Sequence, residues 1–139
     1  PGVTFSSDII VGFPGETEAD QAAAVAFLEQ VGFAAVHVFP YSRRPGTKAD
    51  TMPEQLSHAV KSARAHEAQR VADACKQRYL VQQVGQTLPV LFETEHDGSW
   101  VGHSDNYCLV RAAGDNLRGL VKNVKISAVS GQMLVGDLV

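Results

Sequence analysis

Residues 8 to 20, DIIVGFPGETEAD, run from an apolar stretch into a glycine turn and then into acids. Glycines after a strand commonly let backbone amides cradle a phosphate. A Walker-type loop would add a lysine directly after its second glycine, but here Gly15 is followed by Glu16 and Thr17. The dinucleotide pattern G-x-G-x-x-G is absent as well. Glu16, Glu18 and Asp20 instead put negative charge where a helix N-terminus would hold an anion. Acids beside bare backbone suit a ligand with hydroxyls and a positive centre. S-adenosylmethionine offers both, in its ribose and in its ammonium and sulfonium groups. The same residues would also serve as a tight βα turn with ordinary capping acids.

The elements around the turn follow from periodicity. Residues 5 to 13 form a strand, and consecutive Ile9, Ile10 and Val11 suit burial on both faces. Thr17 and Asp20 make a capping-box start for a helix that Gly32 ends. Ala24, Phe27, Leu28 and Val31 fall on one face of it. Residues 33 to 39 form a second buried strand, which places His37 in a core. Strand, helix and strand at this spacing predict a parallel βαβ unit. Two buried strands and one helix cannot cover both sheet faces, so cover must come from more chain, another copy or the next helix. Residues 40 to 53 read as a loop. A long helix follows from Glu54 or Ser57 to about Val84, with Thr51, Pro53 and Glu54 as its start signals. Its thin apolar stripe is Ala68, Val71, Ala72, Cys75 and Tyr79.

The texture changes at Gly85. Short β-rich runs then alternate with Gly and Asp turns, the pattern of a small antiparallel barrel. The fold class is therefore α/β plus all-β, with residues 1–84 as one part and 85–139 as the other.

The 139 residues carry a net charge of −3, which advertises no nucleic-acid binder. No apolar run approaches the roughly 20 residues that span a membrane. The two cysteines, Cys75 and Cys108, fit small core positions in a reduced, cytoplasmic protein. The chain begins at Pro1, not Met, which suggests a fragment or a processed product. Lys61, Arg64, Arg70, Lys76 and Arg78 outnumber Glu54, Glu67 and Asp73 on the long helix, the pattern of a solvated face. Residues 85–139 hold four cations against six acids, but RGLVKNVK gathers three of those cations. Trp100 and Tyr107 are each candidates for stacking on bases or for barrel core.

Two stretches, SSDIIVGFPGETEAD and VHVFPYSRRPGTKADTMPEQL, resemble the late barrel strands of radical-SAM methylthiotransferases. The tail, VGQTLPVLFETE with GHSDNYCLVRA and LVKNVKIS, resembles the TRAM domain that closes those enzymes. The resemblance is closest to the subgroup acting on threonylcarbamoyladenosine beside the tRNA anticodon. It implies the end of a (β/α) radical-SAM barrel, a long helix and a TRAM β-barrel. Gly12, Phe13, Gly15 and Glu16 would lie near S-adenosylmethionine, with Val38 and Phe39 near its adenine. Ser42 and Arg44 would face the substrate, where a guanidinium fork grips a carboxylate or phosphate. His103, Asn106, Tyr107, Arg118, Lys122 and Lys125 would contact tRNA.

The family also needs a C-x-x-x-C-x-x-C motif to hold a [4Fe–4S] cluster, and this chain has none. No metal ligand is therefore assigned here. The resemblance implies a C-terminal part, inactive alone, whose partners are tRNA and the N-terminal portion of a longer chain. Three alternatives stand beside it: a non-catalytic RNA-binding module, part of a ribosomal-protein methylthiotransferase, and a fragment whose exposed strands self-associate.

Overall fold

The computed structural model describes residues 3–139, so Pro1 lies outside the described residues. Strand β1 (Ser6–Val11) leads through the glycine turn into helix α1 (Glu18–Val31) and strand β2 (Ala35–Pro40). Thr17 caps α1: its hydroxyl accepts the Asp20 N–H, and Asp20 accepts the Thr17 N–H. Gly32 ends the helix with a left-handed φ of 67°. β1 and β2 pair in parallel, with Ser6 opposite Ala35 and Val11 opposite Pro40.

The two strands are buried on one face only, which corrects the expectation of double burial. Ile9, Val11, Val36 and Val38 pack with Leu28, Phe33, Ala68, Val71 and Cys75. The alternate residues point the other way. Ile10 is 56% and Phe39 51% exposed, and Asp8 and His37 are exposed beside them. His37 is thus a surface residue of the open face and not a core histidine. The predicted stripe on α1 also shifts. Phe27 is exposed, whereas Gln21 is buried with its side-chain amide donating to the Arg64 carbonyl and to Glu67.

The stretch predicted as loop holds a short helix, α2 (Lys48–Thr51), capped by Thr47. The long helix α3 spans His58–Gln83. Ser57 starts it, through a bond from the Val60 N–H to its hydroxyl. Thr51 and Glu54 form no capping box, because Thr51 ends α2 and Glu54 has φ 59°. Ala68, Val71, Ala72 and Cys75 are buried as expected, and Arg64, Leu80 and Gln83 join them.

Strands β3 (Thr87–His96), β4 (Ser99–Ser104), β5 (Leu109–Ala113), β6 (Val121–Ser130) and β7 (Met133–Leu138) close into a barrel in the order β3-β4-β5-β7-β6. It is not antiparallel throughout: β5 and β7 pair in parallel, with Val110 opposite Leu134. A closed ring of five strands cannot alternate direction at every step, so one parallel pair is geometrically required. Phe92, Val90, Val110, Val124, Ile126 and Leu134 fill the interior, and Trp100 joins them at 7% exposure. Leu80 of α3 belongs to the same core. For that reason the compact units divide at Lys76/Gln77, within the helix, and not at Gly85.

Two glycines let the sheet bend into closure. Gly102 lies opposite Phe92, where β3 shifts register, and Gly136 lies opposite Ile126, where β6 does. A Cβ at Gly102 would collide with the Leu91 carbonyl, and one at Gly136 with that of Lys125. Bulges facing glycines are how a sheet turns a corner. Gly102→Ala and Gly136→Ala are each expected to cost about 3 kcal/mol, because the obstructing atoms are backbone. Urea unfolding monitored by Trp100 fluorescence measures this.

Candidate functional site

The turn sits at the C-terminal ends of β1 and β2. The amides of Gly12, Gly15 and Glu16 are engaged within the protein. The Gly12 N–H donates to both carboxylate oxygens of Glu16, at 3.0 Å each. The Glu16 N–H donates to the Phe13 carbonyl, and the Gly15 N–H to the Glu54 carbonyl at 3.1 Å. Gly12 has φ 70°, and a Cβ there would collide with the Lys61 side chain, so two independent constraints require glycine.

The three acids have internal partners too. Arg64, 6% exposed, donates through Nη1 to Glu16 Oε1 at 2.6 Å and to the Glu16 carbonyl at 2.9 Å. Its Nη2 reaches Glu18 Oε1 at 2.7 Å. The Glu18 bond, together with the Glu16 bond, raises the Arg64 pKa, and burial opposes them. Asp20 accepts from both the backbone and the hydroxyl of Thr17, which lowers its pKa. Arg64 was expected on a solvated helix face. Its burial is a tertiary effect, set by Glu16 and Glu18 48 and 46 residues away in the chain.

The surface left for a ligand is the open sheet face and the exposed edge of the turn. Phe13 is 39% exposed and meets Tyr41 edge-on, with ring centroids 5.2 Å apart. Lys61 Nζ lies 5.7 Å from the Tyr41 ring centre. Ile10 and Phe39 are cross-strand neighbours, and so are Asp8 and His37. An apolar pair thus stands beside a polar pair on this open face. Phe39 stands on this face, whereas Val38 points into the covered core. Ser42 and Arg44 are exposed in the loop after β2, where Arg43 is tied to Asp50 at 2.7 Å. A [4Fe–4S] cluster does not fit the described residues. Cys75 and Cys108 are both buried, and no group of three or more His, Cys, Asp or Glu could hold a metal ion.

On the barrel, the proposed RNA contacts divide. Tyr107 is 88% exposed on the β4–β5 hairpin, held at φ 61° by a bond from its N–H to the Ser104 carbonyl. Asn106 is turned inward: its amide donates to the Tyr79 hydroxyl and to Gln83, and its carbonyl oxygen accepts from Ser104. His103 Nδ1 lies 2.6 Å from Glu93, the extra residue of the β3 bulge. Lys125 donates to the Gly85 carbonyl at 2.6 Å. Arg118 and Lys122 are exposed. Charge and motif gave no sign of an apolar row beside them. Leu91 is in register with His103 and with Val121, and both aliphatic residues are exposed.

A one-face βαβ segment and a closed five-stranded barrel thus make up the chain, and the proteins it matches are tRNA methylthiotransferases. The chain is a homologue of that family over nearly its whole length. It is 37% identical to the threonylcarbamoyladenosine tRNA methylthiotransferase MtaB of Bacillus subtilis, across 91% of this chain and 29% of that one. It is 39% identical to the tRNA-2-methylthio-N(6)-dimethylallyladenosine synthase of Campylobacter jejuni, across 100% of this chain and 33% of that one. A synthase of the same name from Nitratidesulfovibrio vulgaris is 37% identical, across 99% and 32%. The chain therefore spans about a third of the length of these relatives. No family model matches it. No helix among the described residues is long and apolar enough to cross a membrane.

The capping box makes α1 sensitive to acid. The folded pKa of Asp20 lies below its unfolded value of about 3.9. Its contribution is therefore full above that value and is lost as pH falls through the lower, folded pKa. Thr17→Ala should cost about 1 kcal/mol at neutral pH. The Tm gap between the parent sequence and Asp20→Asn, followed by circular dichroism, should narrow as pH falls below about 4.

Proposed function

We propose that the chain is the C-terminal part of a radical-SAM tRNA methylthiotransferase. One observation carries this reading: the alignment runs from the glycine turn through the barrel without leaving any large part of the chain unmatched, yet spans only a third of each relative. The first unit is then the end of a (β/α) barrel. Its bare face, with Asp8, Ile10, His37 and Phe39, supports this, because a barrel strand needs lining on its inner side as well as helices outside. The second unit is then a TRAM domain that grips tRNA through the hairpin carrying Tyr107. S-adenosylmethionine supplies a methyl group and, with a reduced cluster, a radical. The cysteines for that cluster come from chain outside these residues, so the 139 residues alone are inactive. The protein is cytoplasmic, where tRNA is found.

The matched relatives are named for tRNA, which favours tRNA over a ribosomal protein as substrate. Identity is level between relatives named for threonylcarbamoyladenosine and for dimethylallyladenosine. The assignment to the first subgroup therefore rests on the wording of residues 37–47 and of GHSDNY alone.

The test begins upstream of Pro1. The reading frame there should encode a C-x-x-x-C-x-x-C motif and further strand–helix units; a stop codon close to Pro1 would overturn the assignment. The RNA reading has its own measurement. Tyr107→Ala should weaken tRNA binding by about 1–3 kcal/mol, the range for loss of one aromatic–base stack. It should leave stability within about 0.5 kcal/mol, as an exposed substitution does. Equal binding by the two proteins would remove Tyr107 from the interface.

A further inference from the structure

We propose that Arg64 and Glu16 form a positioning pair that holds the Gly12–Glu16 turn in its binding shape, and that neither contacts the ligand. The functional consequence rests on the S-adenosylmethionine reading above; the structural pairing does not. Both oxygens of the Glu16 carboxylate accept from Gly12, and one also accepts from Arg64. Three of the four lone-pair positions of that carboxylate are thus taken inside the protein, and its charge is shared with Arg64. Arg64 also binds the Glu16 carbonyl, so it fixes the residue at backbone and side chain together. Lys61, one helical turn earlier on α3, packs against the Gly12 α-carbon. α3 therefore grips both ends of the turn. With the Gly12 N–H committed to Glu16, a ligand meets the exposed edge of Phe13 and the open sheet face.

This assigns Glu16 a different role from direct cofactor binding, and it brings in Arg64, which the turn motif does not include. A bare Glu16 carboxylate would repel nothing in a cationic ligand, so charge alone does not separate the two roles. Loss of Arg64 does separate them. If Glu16 is a direct ligand, freeing its carboxylate strengthens ligand contact. If it is a strut, freeing it loosens the turn and weakens binding.

The first test is amide exchange in the 139-residue chain, comparing the parent sequence with Arg64→Met, Arg64→Lys and Glu16→Gln. The Gly12 amide should exchange at least tenfold faster in Arg64→Met, with amides of β2 such as Val38 changed less than twofold. Arg64→Lys should restore most of the protection, since an ammonium can still reach one glutamate. Unchanged Gly12 exchange would overturn the pairing, and so would an equal rise across all of β1 and β2, which would mark a purely structural salt bridge. If Arg64→Met fails to fold, the comparison of Glu16→Gln with Arg64→Lys decides in the same way.

The second test is equilibrium dialysis of S-adenosylmethionine against the full-length gene product. Arg64→Met should weaken binding about tenfold, and Arg64→Lys should recover it. Tighter binding in Arg64→Met would make Glu16 a ligand and overturn the proposal. An absence of binding by the parent protein, together with the expected exchange pattern, would remove the cofactor reading and leave the positioning pair standing.

Discussion

A strand edge carries a row of backbone donors and acceptors that must be paired or solvated, and the two units meet that demand in opposite ways. The second unit removes its edges. Its five strands close on themselves, at the cost of one parallel pair between β5 and β7 and of two glycines opposite two bulges. The first unit leaves its two-stranded sheet with unpaired edges among the described residues, and with one bare face. A parallel sheet normally has both faces covered. The contrast is that the barrel's inward-facing apolar residues are enclosed by the closed sheet, whereas Ile10 and Phe39 stand uncovered on the bare face.

The glycine turn shows how a short polar stretch becomes rigid. Burying a guanidinium is costly unless charge and hydrogen bonds both compensate it. Arg64 has two carboxylates and a carbonyl for that purpose. The arrangement is reciprocal, because the same carboxylate that neutralises Arg64 fixes the Gly12 amide. The acids that seemed to await a cation therefore found one inside the protein. What remains for recognition at this end of the sheet is apolar or aromatic surface from Phe13, Ile10 and Phe39.

Local chemistry was legible in the sequence wherever a few adjacent residues decide it. Thr17, Asp20 and Gly32 mark α1 because caps act within one turn, and the Gly- and Asp-punctuated runs mark the barrel strands. Faces were less legible. Phe27 fits an apolar stripe by spacing, yet the buried face of α1 is the one that offers Gln21 to α3. His37 lies in an apolar run, but burial in that run is decided by what packs on each side of the strand, and α1 and α3 cover only the other side. Arg64 looked like one cation among five on a helix, since nothing local announces partners almost fifty residues away. Trp100 and Tyr107 were equivalent as candidates for stacking. The pleat sends Trp100 inward, and the hairpin holds Tyr107 out in solvent.

The level identity to two kinds of relative bears on where substrate choice resides. Proteins named for different modified adenosines match this chain equally well at 37–39%. The features that the fold demands, such as Gly12, Gly102 and the Arg64 cluster, are set by backbone geometry and buried charge. Such features carry no information about a substrate. On the proposed reading, discrimination within this chain then falls to exposed groups that the fold leaves unconstrained. Arg44 is one: Arg43 beside it is committed to Asp50, and the Arg44 carbonyl takes the Thr47 amide and hydroxyl, so the backbone is anchored around an exposed side chain. A guanidinium presented from an anchored backbone is suited to a carboxylate. A threonylcarbamoyl group carries one and a dimethylallyl group does not, so the same arginine would be an asset on one substrate and idle on the other.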